Sequence, residues 1–276
     1  MSNILEKLKT FIRTNKYLEI IAYLIQNNLF PKLLNSAGFG EFDTSMSGLL
    51  DRGEKIADLY AKSFDYKLKN KVVLEIGTGF STAVALWLVQ KYKVKKVFTY
   101  DYFNCLHENN ELVENQSILS GSTKNINYFF GNAESIKKKI SKSSIDFIVS
   151  NAVLEHVNNL EKLLINMLHV VKRDSKMFHV VDLRCHNRFK MHGELYFHTF
   201  HNLIWNLMGG RIGHPNRMLF KEYIKLFEKY NLENNVVFLQ HFSKSSLDHA
   251  KMYLKSDNID PYEISEFRVM SSLEEK

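Results

Sequence analysis

Lys71-Val-Val-Leu-Glu-Ile-Gly-Thr-Gly-Phe-Ser-Thr82 is the stretch from which the rest of the chain can be read. Val72, Val73, Leu74 and Ile76 make the short, β-branched run of a strand buried on both faces. Gly77 and Gly79 end that run at alternate positions, where the missing Cβ lets the backbone turn tightly and come close to a ligand. From Phe80 the pattern turns helical, with Ala83, Leu86, Trp87, Val89 and Gln90, so the free N–H groups of a helix start point at whatever the glycines admit. Strand, glycine turn and helix together form a cofactor cradle. A dinucleotide site favours a third glycine where Thr82 stands. Glu75, two residues before the first glycine, would meet a pyrophosphate badly but suits a ligand that carries an ammonium and a sulfonium.

The sequence downstream repeats the strand-to-site pattern. Lys95–Asp101 reads as a second strand ending in an acid, 101 − 79 = 22 residues beyond the second glycine, where the two hydroxyls of a ribose would be held. Ile126–Phe130 is a third strand running into Gly131, Asn132 and Ala133. Ile145–Ser150 is a fourth, leading into Asn151-Ala-Val-Leu-Glu-His-Val157. With these residues in hand, the chain resembles the class I S-adenosylmethionine-dependent methyltransferases. Glu75 with Gly77 and Gly79 is similar to that family's first motif, and its third small residue is Ser81 here. Leu154-Glu-His-Val157 is similar to the family's segment after strand four.

The resemblance implies that Glu75 faces the amino-acid end of the cofactor and that Asp101, with Tyr102 beside it, takes the ribose hydroxyls. It implies that Asn132 and Ala133 frame the adenine and that Asn151 borders the same site. It also implies a Rossmann-like α/β fold, a mostly parallel seven-stranded sheet between helices. The order of elements agrees: strand 71–76, helix 80–92, strand 96–101, helix near 108–119, strand 126–130, helix 134–140, strand 145–150, helix 158–171, strand 177–183. Such alternation calls for parallel strands with right-handed crossovers, and ligands then bind at the carboxyl ends of the strands. A helix 217–230, a strand 236–239 and a last strand near 264–270 complete the sheet with an antiparallel pair.

Composition bounds the remaining classes. With 276 residues, 45% hydrophobic and 13% aromatic, the chain has material for a sizeable core, and three prolines leave no proline-rich linker. The formal charge of +7 is compatible with anionic partners. The lysines are scattered, no aromatic–basic repeat suits stacked bases, and no Asn-Pro-Pro-Tyr-like segment follows strand four, so nucleic acid is not expected as the substrate. Cys105 and Cys185 are too few for a disulfide framework or a zinc cage. No run of about 18 uncharged apolar residues spans a bilayer and the start lacks a basic signal region, so the expected location is cytoplasmic.

Two regions flank the core. Residues 1–65 are expected to form a helical extension whose first helices carry apolar stripes (Ile4, Leu5, Leu8, Phe11, Ile12, then Leu18, Ile21, Leu24, Ile25). Membrane association, homodimerisation and packing as a cover over the substrate cleft all remain open for it. A glycine- and serine-rich segment, 35–47, has the composition of a lid. Within the methyltransferase domain 66–276, residues 184–215 hold His186, His192, His198, His201 and His214 among aromatics. Only His198 and His201 have a helical spacing and no third ligand follows, so no metal is expected. The segment reads as a substrate-facing insertion. His179-Val-Val-Asp-Leu-Arg-Cys-His186 with Asn216-Arg-Met looks like a methyltransferase branch associated with bacterial glycan and lipopolysaccharide synthesis, with Cys185 where that branch usually has an aspartate. A sugar or small hydroxylated acceptor would need a base. His186 is the first candidate, oriented by Asp182, and His156 the second. An N- or C-methyltransferase of a secondary metabolite, or a silent cofactor- or partner-binding fold, are the competing expectations.

Overall fold

Five parallel strands are assembled first along the chain: β1 (Val72–Ile76), β2 (Lys96–Asp101), β3 (Ile126–Phe130), β4 (Ile145–Asn151) and β5 (Val171–Asp182). In this computed structural model, which describes residues 7, 10–29, 45–104, 123–186, 188–209, 214–255 and 258–274, they join β6 (Leu232–His241) and β7 (Ile264–Leu273) in one sheet. The strand order is β3-β2-β1-β4-β5-β7-β6. β1 pairs in parallel with β2 (Leu74 opposite Phe98) and with β4 (Leu74 opposite Ile148). The chain winds outward from β1 to β3 on one side and then restarts at β4 on the other, so the winding reverses between β1 and β4. Glu274 N donates to Asn231 O at one end of the β6–β7 pair and Phe242 N to Glu263 O at the other, so these two strands run antiparallel.

The described helices include α1 (Lys16–Leu29), α2 (Met46–Ser63), α3 (Ala83–Gln90), α4 (Glu134–Lys139), α5 (Leu160–Val170), α6 (Asn202–Met208), α7 (Phe220–Lys229) and α8 (Lys244–Leu254). None of the described helices is long and apolar enough to cross a membrane. The expected helix near 108–119, Cys105 and most of the lid segment 35–47 lie outside the described residues.

The chain divides into two compact units, one of residues 42–181, 223–238 and 267–276, the other of residues 1–41, 182–222 and 239–266. This division departs from the expected boundary near residue 65. α2 buries Ala57, Tyr60, Ala61 and Phe64 in the sheet unit, where Phe64 lies 4.2 Å from Phe147 and Tyr60 meets Phe178 edge-on. An aromatic face that large cannot belong to a detachable extension. The second unit has its own core of Cys185, Phe189, Phe197, Trp205 and Met208, against which Ile20, Tyr23 and Leu24 of α1 pack.

β5 starts at Val171 rather than at the expected 177, because its first turn of sequence, Lys172-Arg-Asp-Ser, is polar and gives no buried-strand signal. It is tied in by charge instead: the Asp146 carboxylate accepts from Lys172 Nζ at 2.7 Å and from Val72 N at 2.8 Å.

A candidate cofactor cradle at the carboxyl ends of the strands

The turn after β1 is built by two glycines with left-handed backbones, Gly77 at φ 85° and Gly79 at φ 64°. It leans on the neighbouring strand, since Gly77 N donates to Tyr100 O at 2.7 Å and Thr78 N to the same oxygen at 3.3 Å. The two glycines do different jobs. A Cβ on Gly77 would fall inside the Val153 side chain, so the absence of a side chain there lets two backbone segments pack. A Cβ on Gly79 would meet nothing within 4 Å and would project into open space. Ser81 Oγ accepts from Ala83 N at 3.1 Å and so helps start α3, a helix buried through Ala83, Val84, Ala85, Leu86, Leu88 and Val89.

Asp101, the last residue of β2, closes the other wall. Its Oδ2 accepts from Gly79 N at 2.9 Å and its Oδ1 from Phe103 N at 3.0 Å. The carboxylate therefore fixes the glycine turn directly and keeps lone pairs for further donors. Burial raises its pKa, against the lowering effect of the Phe103, Gly79 and Tyr102 amides. Tyr102 itself is exposed and stands edge-on to Phe103 at 5.0 Å.

Glu75 is 3% exposed and its Oε2 has no hydrogen-bond partner. Burial, and then the charge of Asp101, push its pKa up to about 8. Its register neighbour Thr99 on β2 and Thr78 in the turn also carry buried hydroxyls without partners. Unsatisfied buried polar atoms are costly, and three of them around one turn mark a place where a polar ligand completes the structure. Tyr60 of α2 is buried near the same carboxyl; burial first and the Glu75 charge second raise its phenol well above the ordinary range.

The remaining predicted cofactor residues sit on the same rim. Gly131 N donates to Asp101 O at 3.1 Å and Tyr100 Oη to Gly131 O at 2.8 Å, which sets Asn132 and Ala133 just beyond β3. Asn132 is exposed and its carbonyl takes Ser135 N at 2.8 Å, at the start of α4. Asn151 ends β4 opposite Val180, and Ala152 follows with φ 53° and its N–H on Val180 O. His156 closes a 3-10 turn, Leu154–His156, with Nε2 3.9 Å from the buried Glu155 carboxylate. Tyr60, Thr78 and Thr99 belong to no motif that the sequence displays. A hydroxyl-bearing residue inside an apolar strand, as Thr99 is between Phe98 and Tyr100, was the available signal.

In the other unit, the structure corrects the expected link between Asp182 and His186. The Asp182 carboxylate is held by Arg184, with Nε to Oδ1 at 2.7 Å and Nη2 to Oδ2 at 2.6 Å, and Glu266 lies 3.4 Å from the same guanidinium. A two-point guanidinium fork two residues away outcompetes a single imidazole. Burial alone would raise Asp182, but Arg184 holds it below the usual carboxylate range. His186 Nε2 instead lies 3.3 Å from the Asp182 backbone carbonyl, with the residue itself at φ 47°. Burial lowers its pKa, partly opposed by the Asp182 charge. In the sequence, the signal for this pair is Arg184 itself, a cation two residues from the acid.

The other histidines of 184–215 serve the packing of this unit. His198 lies 4.2 Å from Phe197 and 5.0 Å from Tyr262, His214 stacks on Trp205 at 4.1 Å, and His201 accepts from Leu203 N to start α6. Burial pushes His198 down to about 3.

A parallel sheet with its glycine turn, a buried carboxyl oxygen without a partner and a strand-end acid gathered at the winding reversal defines an α/β protein of the nucleotide-cofactor-binding class. Residues 49–237 match the family model described as a methyltransferase domain, well over half of the chain, and the chain belongs to that family. Similar solved structures include a phosphoethanolamine N-methyltransferase 2 of Haemonchus contortus in complex with S-adenosyl-L-methionine (12% identity, TM-score 0.55, 91% of this chain and 59% of that one). A putative sarcosine dimethylglycine methyltransferase of Galdieria sulphuraria is similar at 15% identity and TM-score 0.52, over 80% of this chain and 84% of that one. The YcgJ protein of Bacillus subtilis is similar at 17% and 0.50, over 80% and 98%. At these identities the likeness is one of fold. No curated protein matches the chain.

Proposed function

We propose that the chain methylates a hydroxyl oxygen of a sugar or another small hydroxylated metabolite, in the synthesis of a surface glycan. The cradle residues fit the cofactor. Glu75 meets the ammonium of its amino-acid end and regains its charge there, Asp101 takes the ribose hydroxyls with the lone pairs not used by Gly79 and Phe103, and the turn that Gly77 packs against Val153 admits the chain between them at the open face of Gly79. Asn132 and Ala133 frame the adenine, with Ser81, Tyr102 and Asn151 on the rim. Bound there, S-adenosylmethionine supplies an electrophilic methyl group on sulfur.

His186 carries the acceptor reading. Nε2 faces a backbone carbonyl and so bears the proton, which leaves the basic lone pair on Nδ1. Burial keeps the ring neutral at physiological pH, the form that can take a proton from a hydroxyl. The Asp182–Arg184 pair holds the backbone at that carbonyl, a positioning role in place of direct contact. His156 is the second candidate base. An unprotonated amine acceptor would need no base, so the two chemistries separate experimentally.

The test is incubation with methyl-labelled S-adenosylmethionine and matched panels of hydroxylated sugars and amines. The reading expects label in an alkali-stable ether, lost in His186→Ala while cofactor still binds. Label on nitrogen, or full turnover by His186→Ala, would overturn it. The expected cytoplasmic site of action belongs to the same proposal.

A further inference from the structure

We propose that the paired outer faces of α1 and α6 form a docking surface for an anionic phospholipid bilayer. Both helices turn one face into the same aromatic core: Ile20, Tyr23 and Leu24 from α1, Trp205 and Met208 from α6. Their opposite faces are also apolar. Tyr17, Ile21 and Ile25 recur every fourth residue on α1, and Leu203, Ile204 and Leu207 lie on α6; all six are between 42 and 66% exposed. A helix that packs on one side and stays apolar on the other has a second apolar neighbour to find.

The charges say which neighbour. Lys16 is exposed at the amino-terminal end of α1, where its ammonium sits 5.0 Å from the centre of the exposed Tyr17 ring, whereas the charge of Arg13, just before the helix, acts on the inward Glu19. The one acid of α1, Glu19, is turned inward and 4% exposed, where its carboxylate accepts from Phe189 N and lies 3.4 Å from His192. α6 carries no charge at all. In an isologous dimer this patch would meet itself, with cations and no exposed acid on either helix to pair them. An anionic headgroup layer over acyl chains complements both features: lysine in the phosphates, tyrosine at the boundary, isoleucine and leucine below it. At 14 residues α1 is about 21 Å long and would lie in the interface plane.

The test is flotation of the full chain with vesicles of phosphatidylcholine alone and of phosphatidylcholine with phosphatidylglycerol. Binding is expected only with phosphatidylglycerol and should weaken with salt. Ile21→Glu and Leu207→Glu should each lower partitioning about tenfold or more, and Lys16→Glu about fivefold. Calorimetric binding of S-adenosylmethionine by the same variants reports that they are folded; Lys16→Glu, at an exposed position, keeps the test valid if an apolar-face variant is not. No flotation, or flotation unchanged in all three variants, would overturn the proposal. So would a dimer in sedimentation velocity that Ile21→Glu dissociates without any vesicle binding, since that assigns the face to a second copy. None of these outcomes bears on the acceptor chemistry, which is measured without lipid.

Discussion

Alanine at each of the two turn glycines should separate stability from cofactor binding. At Gly77, φ 85° places alanine in the left-handed region, at a cost of about 1–2 kcal/mol. The new Cβ also runs into Val153, whose Cγ1 would be 2.9 Å away and whose Cγ2 closer still, and such overpacking costs about 1–3 kcal/mol. Alanine restricts the unfolded chain and returns about 0.4–1 kcal/mol. The net is a loss of about 1–5 kcal/mol, from a residue whose missing side chain does not face the cradle. At Gly79, φ 64° brings the same backbone cost, yet no atom lies within 4 Å of the new methyl. Its stability loss should be about 1.6 kcal/mol or less, and its methyl group should stand where the cofactor approaches, weakening binding at least about tenfold, or 1.4 kcal/mol. Denaturant titration of the two variants without ligand, followed by calorimetry with S-adenosylmethionine, gives both quantities. Gly77→Ala as stable as the parent, or Gly79→Ala binding cofactor normally, would refute the reasoning.

Three further expectations follow from the same geometry. Glu75 has a folded-state pKa of about 8 against an ordinary 4.5, so between those values folding takes up a proton and stability falls as pH rises, levelling off above 8; Glu75→Gln should flatten that slope in thermal melts run across the range. Asp101→Ala should weaken S-adenosylmethionine binding by about 1.5–3 kcal/mol through the lost charge-assisted bonds, and amide exchange at Gly79 and Phe103 should quicken as their acceptor disappears. Because burial lowers His186, the acid limb of the kcat/KM profile should fall below the ordinary histidine value of 6.5; a limb above that value would point to another group.

The α/β core was legible because each strand from β1 to β4 is a short apolar run followed by a glycine or polar stop, and because strand-end acids and asparagines recur at one edge. Helix α3 could be seen to be buried, since Ala83–Val89 has almost no polar face. What stayed hidden depends on partners distant in sequence. The early start of β5 rests on Lys172 meeting Asp146, and the membership of α2 in the sheet unit rests on Tyr60 and Phe64 meeting Phe178 and Phe147. The described residues of 184–215 gave little periodicity because, apart from the short α6, they are held by stacked rings and 3-10 turns, as with Trp205 and His214, rather than by a repeating face. The Asp182–His186 pairing failed for a local reason: an arginine only two residues from the acid reaches it with two bonds.

The central claim is that Glu75, the glycine turn and Asp101 form a cradle for S-adenosylmethionine. Calorimetric titration of the purified chain with S-adenosylmethionine, with NAD as the control ligand and Asp101→Ala as the control protein, tests it most directly. The account predicts saturable binding of S-adenosylmethionine, none of NAD, and affinity sharply reduced in Asp101→Ala. Equal affinity in parent and variant, or preference for NAD, would contradict it.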